Sequence, residues 1–273
     1  MRIFCFGYGY VAQQLAAYMQ NEDVSICGTT TTVDKADNDR IFLFDAEHAM
    51  TAEGQKALAQ ASHVIISIPP DSSNADPAWR HYGQCLQGKW LGYLSTTGVY
   101  GDWQGQWVDE NSPRNATEPR SLRRIEAEKL WLSVGANCFR LAGIYGPKRN
   151  VLQKIRAGDA RCIYKENQYF SRIHSEDIAQ ILVAAMQQSL QGEVFNLCDN
   201  MPAPNHEVIA YGCELLGVES PPLIAIEDAN LSPMAQSFYA ANRRVKNDKI
   251  KKSLSVTLKY RTYKDGLASL LHS

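Results

Sequence analysis

Short apolar runs alternate with stretches suited to helices along the first half of the chain. The runs are bounded by glycine, proline or polar residues, as is typical of buried strands. The predicted strands are residues 2–6, 24–28, 41–44, 64–68, 90–95 and 137–140, and the predicted helices include residues 11–19, 51–61 and 77–86. This alternation predicts an α/β fold with a right-handed, doubly wound parallel sheet that has helices on both faces.

The alternation loosens after Pro147, where a smaller lobe is expected. Its predicted helices are residues 151–157, 175–188 and 205–216, and its predicted strands are residues 162–164, 169–173 and 194–197. We therefore expect a dinucleotide-binding domain over residues 1–147, whose strand order continues into the lobe, and a smaller substrate-binding lobe over residues 148–273. The two are expected to form one compact unit.

A glycine motif, Gly-x-Gly-x-x-Ala, follows the first predicted strand and opens the first predicted helix. In this context Gly7 makes the tight turn, Gly9 lets a pyrophosphate approach the backbone, and Ala12 lets the helix pack on the strand. The helix N-terminus then offers N–H groups to the phosphates. The motif predicts a Rossmann-like dinucleotide site, with contacts from Gly7, Tyr8, Gly9, Tyr10, Val11 and Ala12.

The end of the second strand bears on the choice between NAD and NADP. An NAD site places an acidic residue near this point, but residues 29–32 are all threonine and Asp34 comes late. Threonines leave room for a 2′-phosphate and Lys35 could help to bind it, so the sequence leans towards NADP, although no arginine is at hand. Asp45 could face the adenine or could be only a turn residue. Further predicted cofactor contacts are Thr29, Thr30, Pro69 and Ser95.

Composition excludes several classes of protein. The chain has 28 basic and 29 acidic residues, and this balance gives no support for nucleic-acid or membrane-surface binding. No apolar run reaches the ~18 residues of a transmembrane helix. Seven cysteines are scattered without a Cys-x-x-Cys pair, so we expect reduced thiols, no metal site and a cytoplasmic location.

Hydroxyl groups at the end of the fifth strand mark the place where chemistry is expected, because ligands of open α/β sheets bind beyond the carboxyl ends of strands. Ser95, Thr96 and Thr97 lead there into Gly-Val-Tyr-Gly, residues 98–101, and a charged helix follows. A proton donor would be expected on that helix, and the sequence shows none.

Six motifs in order carry a family resemblance across nearly the whole chain. They are the glycine motif, residues 94–101 (LSTTGVYG), 140–147 (RLAGIYGP), 173–179 (IHSEDIA), 195–197 (FNL) and 244–249 (RVKNDK). The chain resembles the extended short-chain dehydrogenase/reductase family of NAD-dependent epimerase/dehydratase type, and within it an atypical branch. The resemblance implies nicotinamide dinucleotide binding and is compatible with a homodimer.

The family's catalytic set is a Ser or Thr, a Tyr and a Lys in Tyr-x-x-x-Lys. The resemblance places Thr96 at the first position, Arg120 at the tyrosine position and Arg124 at the lysine position. A spacing of four keeps both arginines on one helix face. A guanidinium cannot release a proton in a protein, so Arg120 cannot replace the tyrosine. Tyr100 and Tyr145 are the alternative donors, although the family's tyrosines at these positions usually shape the pocket.

Other polar residues are candidates for substrate binding. The predicted contacts are Tyr145, Arg140, Arg243 and Arg244, where the two last could clamp a phosphate or carboxylate. The run of basic residues 243–252 could equally be a solvated helix face. His174, just before a predicted helix, is expected to be structural.

Three functions remain open from the sequence. The first is an oxidoreductase or epimerase-like enzyme that binds a dinucleotide and a small, nucleotide-sugar or anionic substrate. The second is a dinucleotide-binding sensor or regulatory protein without turnover. The third, a purely structural subunit, would leave the phosphate-binding motif without a purpose.

Overall fold

The computed structural model describes residues 1–71 and 76–272. Its strands are β1 (Arg2–Phe6), β2 (Ser25–Thr30), β3 (Ile41–Leu43), β4 (His63–Ile66), β5 (Trp90–Thr96), β6 (Trp107–Val108), β7 (Asn137–Leu141), β8 (Gly143–Tyr145), β9 (Cys162–Tyr164), β10 (Arg172–His174), β11 (Val194–Leu197), β12 (Leu223–Ala225) and β13 (Arg244–Val245). Its helices are α1 (Tyr10–Tyr18), α2 (Ala52–Gln60), α3 (Pro77–Tyr82), α4 (Pro119–Ser133), α5 (Val151–Arg156), α6 (Ser175–Gln187), α7 (Asn205–Leu216), α8 (Pro233–Ala240), α9 (Asp248–Leu254) and α10 (Tyr263–Ser269).

Seven strands form the central parallel sheet, in the order β3–β2–β1–β4–β5–β7–β11. The direction of strand progression reverses between β1 and β4, which pair in parallel from Ile3 beside His63 to Phe6 beside Ile66. Such a reversal opens a crevice at the carboxyl ends of the two strands. The predicted Rossmann-like α/β fold is confirmed, and β1 and α7 have their predicted bounds.

The chain divides into two compact units that are each discontinuous in sequence. Unit 1 comprises Met1–Thr96, Pro119–Arg140 and Ile178–Phe195; unit 2 comprises Thr97–Glu118, Leu141–Asp177 and Asn196–Ser273. The division therefore differs from the single boundary at residue 147 that the sequence suggests. The reason is that β11, which begins at Val194, adds to the edge of the central sheet.

The core of unit 1 is built from aromatic residues on neighbouring strands. Phe4 and Phe6 of β1 lie among Phe42, Phe44 and Tyr93, all of them buried. The rings of Phe4 and Phe42 stack 6.4 Å apart. Burying each ring stabilises the unit by roughly 1.5–3 kcal/mol, which is why these short strands are apolar on both faces.

Unit 2 contains three two-stranded parallel sheets, β10–β8, β12–β9 and β13–β6. A strand is predicted over residues 169–173, but β10 begins only at Arg172. The reason is that Tyr169 instead donates its backbone N–H to Asn242, 3.0 Å away, and Phe170 forms an isolated bridge with Ala203. No helix in the described part of the chain is long and apolar enough to cross a membrane.

A buried ion pair, together with a serine hydroxyl, joins three elements of unit 1. Arg140 of β7 donates from Nε and Nη2 to the two carboxylate oxygens of Glu128 in α4, at 3.1 and 2.9 Å. Ser95 of β5 donates its hydroxyl to the same carboxylate at 2.6 Å. Burial acts to raise the pKa of Glu128, but the hydrogen bonds and charge of Arg140 outweigh it and hold that pKa below its ordinary value.

We predict that Glu128→Ala lowers the free energy of unfolding by about 3–5 kcal/mol, because it leaves a buried guanidinium without its carboxylate. The control is Glu126→Ala on the same helix, whose exposed pair with Lys129 should contribute only about 0–1 kcal/mol. Urea unfolding measures both. Equal losses in the two variants would contradict the prediction.

Asp199 of unit 2 is a buried carboxylic acid whose pKa is raised. It is 1% exposed; one carboxylate oxygen accepts the Met201 N–H at 2.9 Å, and the other has no hydrogen-bond partner among the described residues. The pKa of Asp199 is raised to about 7: burial raises it most, Asp177 and Asp265 add to the rise, and the Met201 N–H and Arg172 act to lower it. The folded protein therefore binds a proton that the unfolded chain has released, and this contribution to stability is lost as pH rises towards 7.

We predict that Asp199→Asn removes this pH dependence. At about pH 3, below the pKa of an aspartate in the unfolded chain, the thermal midpoints of the variant and the wild type should be similar, because Asp199 is then neutral in both the folded and the unfolded wild type. At pH 8 the variant should melt higher, because the wild type then buries a charged carboxylate. Calorimetry at the two pH values tests this, and a variant that melts lower at pH 8 would contradict it.

Candidate functional site

Two glycines of the loop between β1 and α1 have different surroundings. Gly7 has φ +90°, and a Cβ there would lie 2.7 Å from Ser67 Oγ and 2.9 Å from Ile68 Cγ2. A Cβ at Gly9 would meet nothing within 4 Å. Gly7 is therefore required by the fold itself, whereas the surface at Gly9 is open for another molecule to approach the backbone.

Hydrogen bonds from β2 and the end of β4 hold this loop. Thr29 accepts the Gly7 N–H on Oγ1 at 2.8 Å and the Tyr8 N–H on its carbonyl oxygen at 2.6 Å. Ser67 donates its hydroxyl to the Gly7 carbonyl at 2.8 Å. The buried Thr29 thus positions the loop, and the neighbouring Thr30 accepts the backbone N–H of Thr32 at 3.2 Å.

The first turn of α1 begins at the open surface beside Gly9. Gly9 is the N-cap residue and brings no side chain to the helix end, and the first turn contains no acidic residue. Tyr10 and Val11 are half-buried, while Ala12 is buried. A helix N-terminus of this kind attracts anions through its N–H groups and its dipole.

Asp45 follows β3 and Pro69 follows β4, two strands that β1 and β2 separate in the sheet. Asp45 accepts the N–H groups of Glu47 and His48, both at 2.8 Å, and it contacts the His48 ring. This geometry supports the turn residue among the two alternatives that the sequence left open. Pro69 is exposed, two residues beyond Ser67.

The arginines of α4 have different environments. Arg120 is exposed in the first turn, whereas Arg124 is half-buried. Arg124 donates from Nη1 to the Tyr93 hydroxyl at 2.9 Å and to the Leu94 carbonyl at 3.0 Å, with a longer contact of 3.5 Å to the Ile68 carbonyl. It therefore places a positive charge at the carboxyl ends of β4 and β5. Thr96, half-buried, ends β5 itself.

Two residues predicted to bind ligands have internal partners instead. The hydroxyl of Ser95 and the guanidinium of Arg140 both bind the buried Glu128 carboxylate. Ser95 is 4% exposed and Arg140 is 3% exposed. This burial argues against the cofactor contact predicted for Ser95 and the substrate contact predicted for Arg140.

The two alternative proton donors lie in unit 2 and are both buried. Tyr100 donates its hydroxyl to Asn196 Oδ1 at 2.7 Å. The Tyr145 hydroxyl has no hydrogen-bond partner among the described residues, and burial raises the pKa of this phenol above its ordinary range. A general acid or base works best with a pKa near the working pH. The structure therefore favours the pocket-shaping role for both.

His174 and the arginines at the start of the basic run also belong to unit 2. His174 accepts the Glu176 N–H on Nδ1 at 3.2 Å, and burial lowers the pKa of its ring to about 4. This supports the structural role. Arg243 donates to the Gly101 carbonyl at 2.9 Å.

Arg244 lies between two aromatic rings. Its guanidinium carbon is 5.2 Å from the Trp107 ring centroid and 4.9 Å from that of Tyr169. Its Nε donates to the Gly105 carbonyl at 2.6 Å.

Sequence reasoning missed one cation beside the glycine loop. Arg40, directly before β3, donates from Nη2 to the Tyr8 hydroxyl at 2.6 Å and from Nε to the Ile26 carbonyl at 2.8 Å. The sequence of β2 does not indicate a contact with Arg40, because the loop between β2 and β3 is long. The expected pairing of β2 with β3 could have located it, since that pairing brings the residue before β3 close to β2.

No family model matches the chain, and no curated protein matches it. Among solved structures, a conserved protein of unknown function from Silicibacter pomeroyi is 40% identical, with a TM-score of 0.87 over 99% of this chain and 98% of that chain.

Two more distant structures share the fold. A human epimerase family protein with NADPH is 13% identical, with a TM-score of 0.77 over 99% of each chain. The dTDP-glucose 4,6-dehydratase from Bacillus anthracis in complex with NAD is 17% identical, with a TM-score of 0.74 over 99% of this chain and 95% of that chain.

The identity to the Silicibacter protein extends over nearly the full length of both chains, and the fold is the one that the motifs predicted. The chain belongs to the family of the conserved Silicibacter pomeroyi protein, and it shares the fold of the NAD-dependent epimerases and dehydratases.

Proposed function

We propose that the protein binds a nicotinamide dinucleotide, NADP or NAD, and acts as an oxidoreductase or epimerase-like enzyme on a small anionic substrate, without the usual Tyr/Lys pair. A nucleotide sugar is the substrate class that best fits its relatives of known activity. The observation that carries the proposal is the open backbone at Gly9, at the N-terminus of α1 and beside the crevice between β1 and β4.

The glycine loop fits a pyrophosphate. Hydrogen bonds with Thr29 and Ser67 hold the backbone of the loop in place. We therefore expect the loop to receive a ligand without rearrangement. Gly9 allows close approach, and the N–H groups of the first turn supply donors for the phosphates. Tyr8, Tyr10, Val11 and Ala12 complete the proposed contact surface. The human and Bacillus anthracis structures, with NADPH and NAD respectively, support this assignment.

Arg124 takes the place of the family lysine in the proposal. The dinucleotide, when bound, supplies hydride chemistry; Arg124 supplies a fixed positive charge beside it. Its contacts with Tyr93 and Leu94 orient the guanidinium, so that little side-chain entropy is lost when a ribose or phosphate binds. The exposed Arg120 would hold an anionic substrate, and the Thr96 hydroxyl would orient the reacting hydroxyl or carbonyl group.

Arg244 is proposed to bind an anion in unit 2. Its planar cation is held between Trp107 and Tyr169, and its Nη nitrogens have no hydrogen-bond partner among the described residues. Stacked arginines suit the bidentate recognition of phosphate or carboxylate. Arg243, fixed on the Gly101 carbonyl, is proposed to add charge.

A second candidate function is a dinucleotide-binding sensor without turnover. The observation that favours it is that the candidate groups are poorly suited to proton transfer. Arg120 and Arg124 occupy the positions on α4 where a tyrosine and a lysine were expected, and the hydroxyls of Tyr100 and Tyr145 are buried. Such a protein would bind the cofactor through the same glycine loop and would report on it rather than use it.

We predict that Gly9→Val abolishes dinucleotide binding while the thermal midpoint stays within about 2 °C of the wild type. The side chain fits the folded protein, because nothing lies within 4 Å of the Cβ, but it occupies the space that the pyrophosphate needs. Calorimetric titration with NADPH, NADP, NADH and NAD measures the loss.

Two controls accompany this experiment. Ala17→Val introduces the same side chain at an exposed position of α1 and should leave binding unchanged. Gly7→Ala should instead lower the thermal midpoint, because its Cβ collides with Ser67 and its φ is unfavourable for alanine. Unchanged cofactor affinity in Gly9→Val would refute the placement of the site.

The enzyme and the sensor are separated by Thr96→Val. If the protein is an enzyme, this change should lower kcat for oxidation of the reduced cofactor by a carbonyl substrate by about 10²-fold, because a hydroxyl aimed at the reacting oxygen is lost. The cofactor Kd should not change. Thr117→Val, an exposed threonine, is the matched control. Tight cofactor binding by the wild type with no turnover of any carbonyl in a broad panel would instead favour the sensor.

A further inference from the structure

A cleft of about 730 Å³ opens at the amino ends of β1 and β2, and all of its lining residues belong to unit 1. Arg2 and Ile3 begin β1 there, and Ser25 and Ile26 begin β2. The glycine loop follows the other end of β1, which is five residues long, so that roughly 13 Å separates the two ends. Sites for small organic ligands in proteins have volumes of roughly 300–1,000 Å³. The cleft is therefore large enough for a ligand of its own, away from the crevice proposed for the dinucleotide.

Part of the lining is apolar and buried. Ile3, Ile26 and Met19, the residue after α1, are at most 6% exposed, and Ala61, the residue after α2, is 4% exposed. Such side chains can cover a hydrocarbon or aromatic group but offer no hydrogen bonds to it. This part of the cleft is suited to the apolar body of a ligand.

Arg40 brings a restrained cation to the cleft. Its Nε donates to the Ile26 carbonyl at 2.8 Å and its Nη2 donates to the Tyr8 hydroxyl at 2.6 Å. The turn before it is fixed, because the Asp37 carboxylate accepts the backbone N–H of Arg40 at 2.7 Å. Nη1 has no hydrogen-bond partner in the described part of the chain, and the residue is exposed. A guanidinium restrained in this way loses little further entropy when it binds a carboxylate.

Arg2 is the second cation of the lining. It is exposed, and its Nη1 donates to Gln60 of α2 at 3.3 Å. Asp39 is the one acidic residue that lines the cleft, so two arginines against one aspartate leave a net positive charge. Cys27 also lines the cleft; burial raises the pKa of its thiol to about 11, although Arg40 acts to lower it. The thiol is therefore neutral at pH 7 and does not repel an anion.

We propose that this cleft binds a small organic carboxylate with an apolar body, and that Arg40 and Arg2 hold its charged end. Nη1 and the second N–H of Nη2 are the donors that Arg40 offers to the carboxylate oxygens. The buried apolar residues of β1 and β2 cover the body of the ligand. The cleft lies at the opposite ends of the strands from the glycine loop, so that it can be filled whether or not a dinucleotide is bound.

The test uses the full chain, with hexanoate as the probe and hexan-1-ol as the neutral control of equal chain length. Calorimetric titration should show saturable binding of hexanoate to one site of the wild type and at least tenfold weaker binding of hexanol. Arg40→Gln should weaken hexanoate binding roughly tenfold, and Arg2→Gln should weaken it at least threefold, because each removes a charge-assisted donor. Raising the salt concentration should weaken wild-type binding. Lys35→Gln is the matched control, since it removes an exposed cation that does not line the cleft.

Cys27 reports where the probe binds. Saturating hexanoate should slow the alkylation of Cys27 by iodoacetamide at least threefold and should leave that of the exposed Cys85 unchanged. Mass spectrometry of the peptides measures both rates in one sample.

Thermal melts show whether each variant is folded. Unchanged hexanoate binding in folded Arg40→Gln and Arg2→Gln, equal binding of hexanol, or saturation without protection of Cys27 would each overturn the inference, and so would a wild type that does not bind hexanoate. The Gly9→Val protein should bind hexanoate as the wild type does. Loss of hexanoate binding with intact dinucleotide binding in the wild type would thus count against this cleft alone, and the reverse result would count against the proposed function alone.

Discussion

The ion pair between Glu128 and Arg140 determines where the residues of α4 can lie. It joins the middle of that helix to β7, and the Ser95 hydroxyl joins the same carboxylate to β5. A carboxylate in this interior is tolerable only because a guanidinium and a hydroxyl satisfy both of its oxygens. With the helix fixed there, Arg124, one turn earlier, reaches the carboxyl ends of β4 and β5. The position of the Arg124 charge at the crevice therefore depends on the buried pair of Glu128 and Arg140.

Polar residues near the crevice divide into those that build it and those left to face a ligand. Thr29, Ser67 and Gly7 are required by the loop itself, as the collision at a Gly7 Cβ shows. Gly9 has no such constraint within unit 1. A glycine that the fold does not need, placed at a helix N-terminus, is what the proposed close approach of a pyrophosphate would require. This contrast supports the proposed dinucleotide site at Gly9.

The periodicity of the sequence was sufficient to predict the fold, because apolar strands and capped helices are local features. β1 and α7 were predicted to the residue, and the alternation of elements predicted the sheet. The hydrogen-bond partners of the polar side chains could not be predicted from the sequence. Arg140 could be a substrate contact or half of a buried pair, and only the packing of α4 on β7 decides between them. Arg40 and Tyr8 are 32 positions apart, and their contact depends on how the loop before β3 returns to the sheet. The choice between an adenine contact and a turn residue for Asp45 was left open for the same reason.

We propose that Arg120 and Arg124 of α4 occupy the positions of the family's tyrosine and lysine. Their identity would then change what the site can do. A tyrosine beside a lysine can exchange a proton with a substrate, because the cation lowers the phenol pKa towards neutrality. Two arginines cannot, since neither gives up its proton, but they hold anions more firmly and with fixed orientation. Burial drives the pKa of Tyr145 upward, away from the range useful for proton transfer. The arrangement thus favours binding of charged groups over fast proton transfer. In the enzyme that we propose, the proton would come from the substrate, from water or from the Thr96 hydroxyl at the end of β5.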